Sequence, residues 1–214
     1  MSPVVSNPLP PSVSEDLVEM YRSIVTPHIS DNLDRMPGAI GVSPYNGSGK
    51  LVGTAITVQT RHGDNLMIHQ ALDQARSGDV IVVDGGGDIS QALVGEIMMR
   101  KAQARGVAGF VIYGAIRDVA AFRDSSFPCY ACGVTHKGPY KNGPGLLNVP
   151  VTIGGMIVNP GDLIVGDEDG VIALSPALAR SLIPAIRQVE AREAAIMAEI
   201  AASKDGARTL QNQY

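Results

Sequence analysis

The stretch from Val80 to Asp118 decides the fold. It reads VIVVDGGGD over 80–88, ISQALVGEIMMRKAQARG over 89–106 and VAGFVIYGAIRD over 107–118. Val80–Val83 is a continuous, mostly β-branched run, the pattern of a strand covered on both faces. Asp84 and the glycines Gly85, Gly86 and Gly87 end it. The middle segment reads as one amphipathic helix, carrying Glu96 and ended by Gly106. FVIYG is the next strand. A strand–loop–helix–strand unit of this length is close to the minimum for a βαβ crossover of about 30 residues. Its two strand ends are expected to deliver Asp84, Glu96, Arg117 and Asp118 to one rim, where open α/β sheets bind ligands. Carboxylate oxygen suits a hard divalent cation, and a guanidinium beside it can pair with a ligand carboxylate. The rim therefore points to a divalent metal and a small anionic acid.

On the N-terminal side, Ser14 is placed to cap a helix from Glu15, with Leu17, Met20, Tyr21 and Ile24 on one face. Pro27 interrupts that helix, and Ser30 or Asp31 starts a short second one over SDNLDRM. GAIGVSPYNGSGK is loop by composition and LVGTAITVQT is a strand. HGDNLMIHQALDQARSGD reads as loop and helix, with Gly78 as its C-terminal cap. On the C-terminal side, Val119–Arg123 is a short turn or helix. FPCYACGV is a strand with Pro128 at its edge, and THKGPYKNGPGLLNVPVTIGG is a long loop leading into short strands. MIVNPGDLIVGDEDGVIALSP reads as a β meander turning at 159–162 and 167–170. Ala177–Ala202 is helical. Residues 1–214 are expected to form one domain, with 1–14 as an arm that is mobile or laid on a neighbour and the last dozen residues frayed.

The chain has 214 residues, 17 Lys and Arg against 21 Asp and Glu, and a formal charge of −4. That balance does not invite nucleic acid or an acidic membrane. No apolar run approaches the roughly 18 residues of a membrane span. The N-terminus, MSPVVSNPLPPSVSED, lacks a signal-peptide pattern. With only two cysteines, a disulfide framework is not expected and the location implied is cytoplasmic. The absence of Trp and 4% aromatic content argue against a base- or sugar-stacking platform.

The glycine run lacks the G-x-G-x-x-G spacing, and no Gly-Lys-Ser/Thr appears. It reads as a tight turn that lets a small carboxylate approach the backbone. Cys129 and Cys132 form a lone C-x-x-C near His136. Zinc would want four ligands and a redox pair would open a helix, so two reduced structural thiols are expected. His62 and His69 are seven residues apart and could share a helical face; with His28 they read as structural. No Ser–His–Asp or lysine-centred pattern signals covalent catalysis.

The acid–Arg-Asp pattern of Glu96 and Arg117-Asp118 resembles the class II pyruvate aldolases. These cleave 4-hydroxy-4-methyl-2-oxoglutarate and 4-carboxy-4-hydroxy-2-oxoadipate. They share a superfamily with the regulator of ribonuclease E activity. The likeness runs from about Ile29 to Glu193 and includes SDNLDRM, GDVIVVDGGGD, ALVGE, GAIRD, GPGLLNVPV and PGDLIVGDEDGV. It implies an α/β chain with a β/β/α swivelling-domain fold, N- and C-terminal helices, homotrimers or dimers of trimers, and a site between subunits. It implies Mg²⁺ or Mn²⁺ held by Asp118 and a 2-oxo acid held by Arg117, which would also stabilise the pyruvate enolate. Glu96 would stand beside the metal's waters, and Gly95, Ile97 and Met98 would meet the substrate carboxylate. A neighbour's C-terminal helix would add Glu193, with Glu190 as second choice. Oxaloacetate decarboxylation, which uses the same enolate, is the expected side activity. The sequence departs from the aldolases at Ala121, where they carry an acid three residues after the Asp. That departure favours the alternative, a non-catalytic binding protein or ribonuclease regulator of the same fold.

Overall fold

The structure, a computed structural model, describes residues 5–35 and 38–203. In chain order its elements begin with β1 (Val5–Ser6), α1 (Glu15–Arg22), α2 (Thr26–Asp31), β2 (Ser43–Pro44), β3 (Leu51–Thr60) and α3 (Leu66–Gln74). Next come β4 (Asp79–Asp84), β5 (Ala92–Val94), α4 (Glu96–Ala104), β6 (Gly109–Ile116), α5 (Val119–Arg123) and β7 (Cys129–Val134). The chain continues through β8 (Gly145–Leu147), β9 (Val151–Ile153), β10 (Met156–Val158), β11 (Leu163–Asp167), β12 (Gly170–Leu174) and α6 (Pro176–Ala202).

Strands β3, β4, β6 and β7 are parallel neighbours in that order. On its other side β3 pairs antiparallel with β11 over 51–54 and with β8 over 58–60. One long strand thus carries two different neighbours, and the sheet curls into a nearly closed, barrel-like shape. This is the mixed α/β fold with terminal helices that the resemblance implies. The continuous run in β4 has a simple cause. Side chains alternate across a strand: Ile81 and Val83 face α3 and α4, whereas Val80 and Val82 face the β9–β10 hairpin. Both faces are buried along Val80–Val83, which explains the unbroken apolar run there; the one buried polar residue of the strand, Asp79, is paired with Arg76.

Several boundaries differ from the sequence reading. The middle segment is not one helix. Ala92–Val94 forms β5, which pairs with the end of β6 (Ala92 with Ala115, Val94 with Ile116). Strand β6 outruns β4, whose Asp84 pairs with Tyr113, and β5 covers the edge left open. Leu93 then packs so closely that a Cβ on Gly85 or Gly114 would lie 2.6 or 2.8 Å from its Cδ1. Helix α2 begins at Thr26, not at Ser30, with Pro27 in its first turn where a missing N–H costs nothing. The buried Asp167 carboxylate caps it, accepting the Thr26 N–H at 2.7 Å. SDNLDRM is where that helix ends, and Asp34 and Arg35 take left-handed conformations.

Met20 is 40% exposed, while Leu17, Tyr21 and Ile24 are fully buried. Ser14 occupies the N-cap of α1 but makes no capping bond; its hydroxyl accepts from Arg180. Helix α3 is capped at Ala75, and Gly78 serves the turn into β4. The expected meander is only half formed. β11 and β12 are a hairpin, but β10 turns back on β9, and the 159–162 turn crosses to β11. From Val5 onward the arm lies on its own chain, with β1 parallel to β8 and Asn7 exchanging hydrogen bonds with Asn148. Residues 1–4 of the arm and 204–214 of the expected frayed end lie outside the described residues.

Candidate active site

Strand β6 runs directly into Arg117 and Asp118. The Arg117 N–H donates to Val94 O at 3.0 Å, which fixes the chain as it leaves the strand. Asp118 then takes φ 56° and ψ 39°, a left-handed conformation that costs a side-chain-bearing residue about 1–2 kcal/mol and that clusters at functional sites. The turn swings its carboxylate onto the start of α4, where Oδ2 accepts the Glu96 N–H at 3.0 Å. A negative charge there also meets the positive end of the helix. Arg117 Nε stands 3.7 Å from the same oxygen, and both side chains are about two-fifths exposed (41% and 44%).

Gly95 makes this approach possible. Its backbone is extended (φ −152°), so conformation does not demand glycine. Space does: a Cβ would lie 2.5 Å from Asp118 Oδ2 and 2.9 Å from Arg117 Cγ. Glu96 is half-exposed and pairs with Arg100 at 3.3 Å. The Met98 N–H is taken by Gly95 O at 3.1 Å, whereas the Ile97 N–H has no backbone acceptor among the described residues. Of the Ile97 and Met98 amides, only that of Ile97 is therefore free.

Gly95, Ile97, Met98 and Arg117 line one side of a cleft of about 100 Å³. Asn65 and His69, at and within α3, form a second side. Pro139 and Lys141, from the loop between β7 and β8, form a third. These last residues were not singled out as site residues from the sequence. The 63–65 turn before an amphipathic helix was the only available signal for Asn65 and His69, and the Gly/Pro-rich loop gave none for Lys141. Burial, aided by the positive charges of Lys141 and Lys101, holds the His69 imidazolium pKa below its usual value. The Asn65 amide donates to Leu93 O at 3.0 Å.

Asp84 does not join this group. It pairs with Tyr113, four residues before Arg117, which is roughly 13 Å of strand at about 3.3 Å per residue. It lines a separate, wide cleft of about 860 Å³ with Arg61, His62 and Gly86. The glycine turn offers no amide to a ligand. Gly85 and Gly87 donate to Tyr113 O at 3.0 and 3.1 Å, and Gly86 donates to Asp84 Oδ1 at 3.0 Å. His62 sits in the turn after β3, so it shares no helical face with His69. Cys129 and Cys132 are free thiols whose pKa values burial raises, in keeping with the structural reading; His136 is exposed. Glu193 on α6 lies 2.7 Å from His28 Nε2 of the same chain, and Glu190 pairs with Arg187. Neither lines the cleft.

Among the described residues no cluster of three His, Cys, Asp or Glu side chains is arranged to hold a metal. Asp118 alone fits a different kind of site. Its Oδ1 takes no hydrogen bond among the described residues; the Glu96 carboxylate pairs with Arg100, only the Glu96 N–H meets Asp118, and neither side chain lines the cleft. One carboxylate and open water suit Mg²⁺, which keeps most of its hydration shell. They do not suit a closed tetrahedral zinc site. Ala121 is half-buried against the core beneath α4 and α5 and adds no oxygen.

A curled α/β sheet that sets an Arg-Asp pair on the start of a short helix defines the class of protein. The chain belongs to the RraA-like family, described as Aldolase/RraA, whose model matches residues 26–173. It is 40% identical over 186 residues to a Halalkalibacterium halodurans protein with the provisional name 4-hydroxy-4-methyl-2-oxoglutarate aldolase, covering 85% of this chain and 89% of that one. A solved structure of an uncharacterised Pseudomonas syringae protein superposes with a TM-score of 0.82 at 27% identity, over 93% of this chain and 95% of that one. The RNA-processing inhibitor RraA from Thermus thermophilis matches with a TM-score of 0.65 at 31% identity, over 71% of this chain and 92% of that one. No helix among the described residues is long and apolar enough to cross a membrane.

Proposed function

We propose that this protein is a divalent-metal-dependent lyase that cleaves a 4-hydroxy-2-oxo acid and releases pyruvate, with oxaloacetate decarboxylation as a side activity. The observation that carries the reading is the Gly95 close approach, which sets Arg117 and Asp118 together on the first turn of α4. Arg117 pairs with the substrate's 2-oxo acid group and meets the negative charge that grows on the enolate oxygen as the carbon–carbon bond breaks. The Ile97 N–H, at the positive end of α4, takes the carboxylate. Glu96 orients a water that accepts the hydroxyl proton. Asp118 would hold Mg²⁺ or Mn²⁺, which when bound polarises the 2-oxo group as a Lewis acid. Glu193 would reach the same site from a neighbouring copy. The outer half of α6 is exposed along its length, with Met197 at 68%, so we propose a homotrimer or a dimer of trimers, working in the cytoplasm.

The test is pyruvate release from oxaloacetate and from 4-hydroxy-4-methyl-2-oxoglutarate, with either metal and after chelation, beside Arg117→Ala. Chelator-sensitive turnover that Arg117→Ala abolishes supports the reading. Inactivity with both metals defeats it and favours the second reading, a non-catalytic regulator of the same fold. Ala121 in place of an acid and the likeness to the Thermus inhibitor support that alternative. Co-purification with ribonuclease E would then be the direct assay.

A further inference from the structure

Asp64 is fully buried (0% exposed), yet none of the chemistry above uses it. A buried carboxylate survives only if it is paired and hydrogen-bonded, and this one makes four such bonds. Oδ1 accepts the Leu66 N–H at 3.0 Å, at the start of α3. Oδ2 accepts the Arg61 guanidinium at 3.0 Å and the backbone N–H groups of Asn142 and Gly143 at 2.8 and 3.0 Å. Leu66 opens the helix that carries His69. Asn142 and Gly143 follow Lys141 on the loop between β7 and β8. One carboxylate therefore joins two of the three sides of the cleft.

The contacts around it follow the same seam. The Tyr140 N–H donates to Gly63 O at 2.7 Å, and the Asn65 N–H donates to Tyr140 O at 3.0 Å. Arg61, held by Asp64, lies with its guanidinium carbon 5.7 Å from the Tyr140 ring centre, within reach of a cation–π attraction. The 61–65 turn and the 138–144 loop are thus stitched together, and among the described residues the charge pair at the seam is Asp64 with Arg61.

We propose that Asp64 is a positioning residue of the cleft: its carboxylate clamps the loop bearing Pro139 and Lys141 against the α3 side bearing Asn65 and His69. It touches no substrate. The kinetic half of the proposal rests on the lyase reading; the structural half does not.

Asp64→Asn keeps the shape but presents an amide N–H₂ where donors now converge. Hydrogen exchange at Asn142 and Gly143 is expected to accelerate about tenfold or more, while Val82 and Ile112 in the central strands exchange as before. Arg61→Met, which removes only the ion pair, is expected to accelerate the same two amides by about two- to fivefold, and it covers the case in which Asp64→Asn does not fold. If the lyase reading holds, KM for the 2-oxo acid rises about tenfold while kcat stays within about threefold. Unchanged exchange at Asn142 and Gly143 in both variants would overturn the clamp, as would equal acceleration in the central strands. Accelerated exchange in a protein that turns over no 2-oxo acid would keep the clamp and sink the lyase reading instead.

Discussion

Two strand ends in this molecule look alike in sequence and behave differently. β4 ends in an acid and three glycines; β6 ends in a glycine-containing run and then Arg-Asp. At the first end every glycine amide and one oxygen of Asp84 are satisfied within the turn. At the second, Asp118 is strained, Arg117 is about two-fifths exposed, and one face of Asp118 stays open to a ligand. A turn that consumes its own hydrogen-bonding groups closes a chain, and one that leaves them over is available for chemistry.

The largest expected effect separates the two ends directly. Arg117→Ala and Asp118→Ala should each lower kcat/KM for pyruvate release by at least about 100-fold, while Asp84→Asn stays within about threefold. Comparable losses at both ends would erase the distinction. Gly95→Ala comes next. Its methyl group meets Asp118 and Arg117, so activity should fall about 100-fold, with a stability loss of about 1–3 kcal/mol on denaturant unfolding. Gly86→Ala is the counterpart at the closed end. Its φ of 70° and the nearby His62 ring should cost about 1–2 kcal/mol, with kcat unchanged.

A pH effect follows from Asp64. Burial alone would raise its pKa, but the N–H groups of Leu66, Asn142 and Gly143 and the Arg61 charge outweigh burial and hold it below 3.8. The folded pKa is lower than the unfolded one, so the carboxylate adds stability above about pH 4 that is lost as pH falls through the folded value. The gap in unfolding free energy between wild type and Asp64→Asn should therefore shrink between pH 6 and pH 3. A constant gap would mean that shape, not charge, holds the seam. The smallest effect is at the thiols. Cys129→Ala and Cys132→Ala should leave metal-dependent turnover within about twofold, and Cys129 should resist alkylation until the chain unfolds.

Periodicity and turn chemistry carried much of the fold. β3 and β4 lie where their residues place them, because burial on both faces writes an unbroken apolar run; α5 also falls at Val119–Arg123, whereas β6 runs on two residues beyond the FVIYG of the sequence reading, to Ile116. Glu96 and Arg117-Asp118 were legible as one group because they flank a single crossover, and Gly95 and Ile97 joined them only through the family resemblance. Asn65, His69 and Lys141 were not, because they reach the cleft from elements that only the folded sheet brings near. Asp84 looked like a member of the rim because sequence does not state that β6 runs on past β4.

The sequence by itself determined the alternation of parallel strands and helices and the pairing of an acid with Arg-Asp; that Gly95 lets them meet is visible only in the close approach of the folded chain. Tertiary structure alone decided three other things. Ala92–Val94 became a strand because β6 had a free edge to fill. Helix α2 began at Thr26 because a buried carboxylate 141 residues away caps it. The cleft gained its Lys141 side because Asp64 holds a loop that has no periodicity of its own. In each case the deciding partner is distant in sequence, and local propensity is too small to compete with a buried hydrogen bond or an unpaired strand edge.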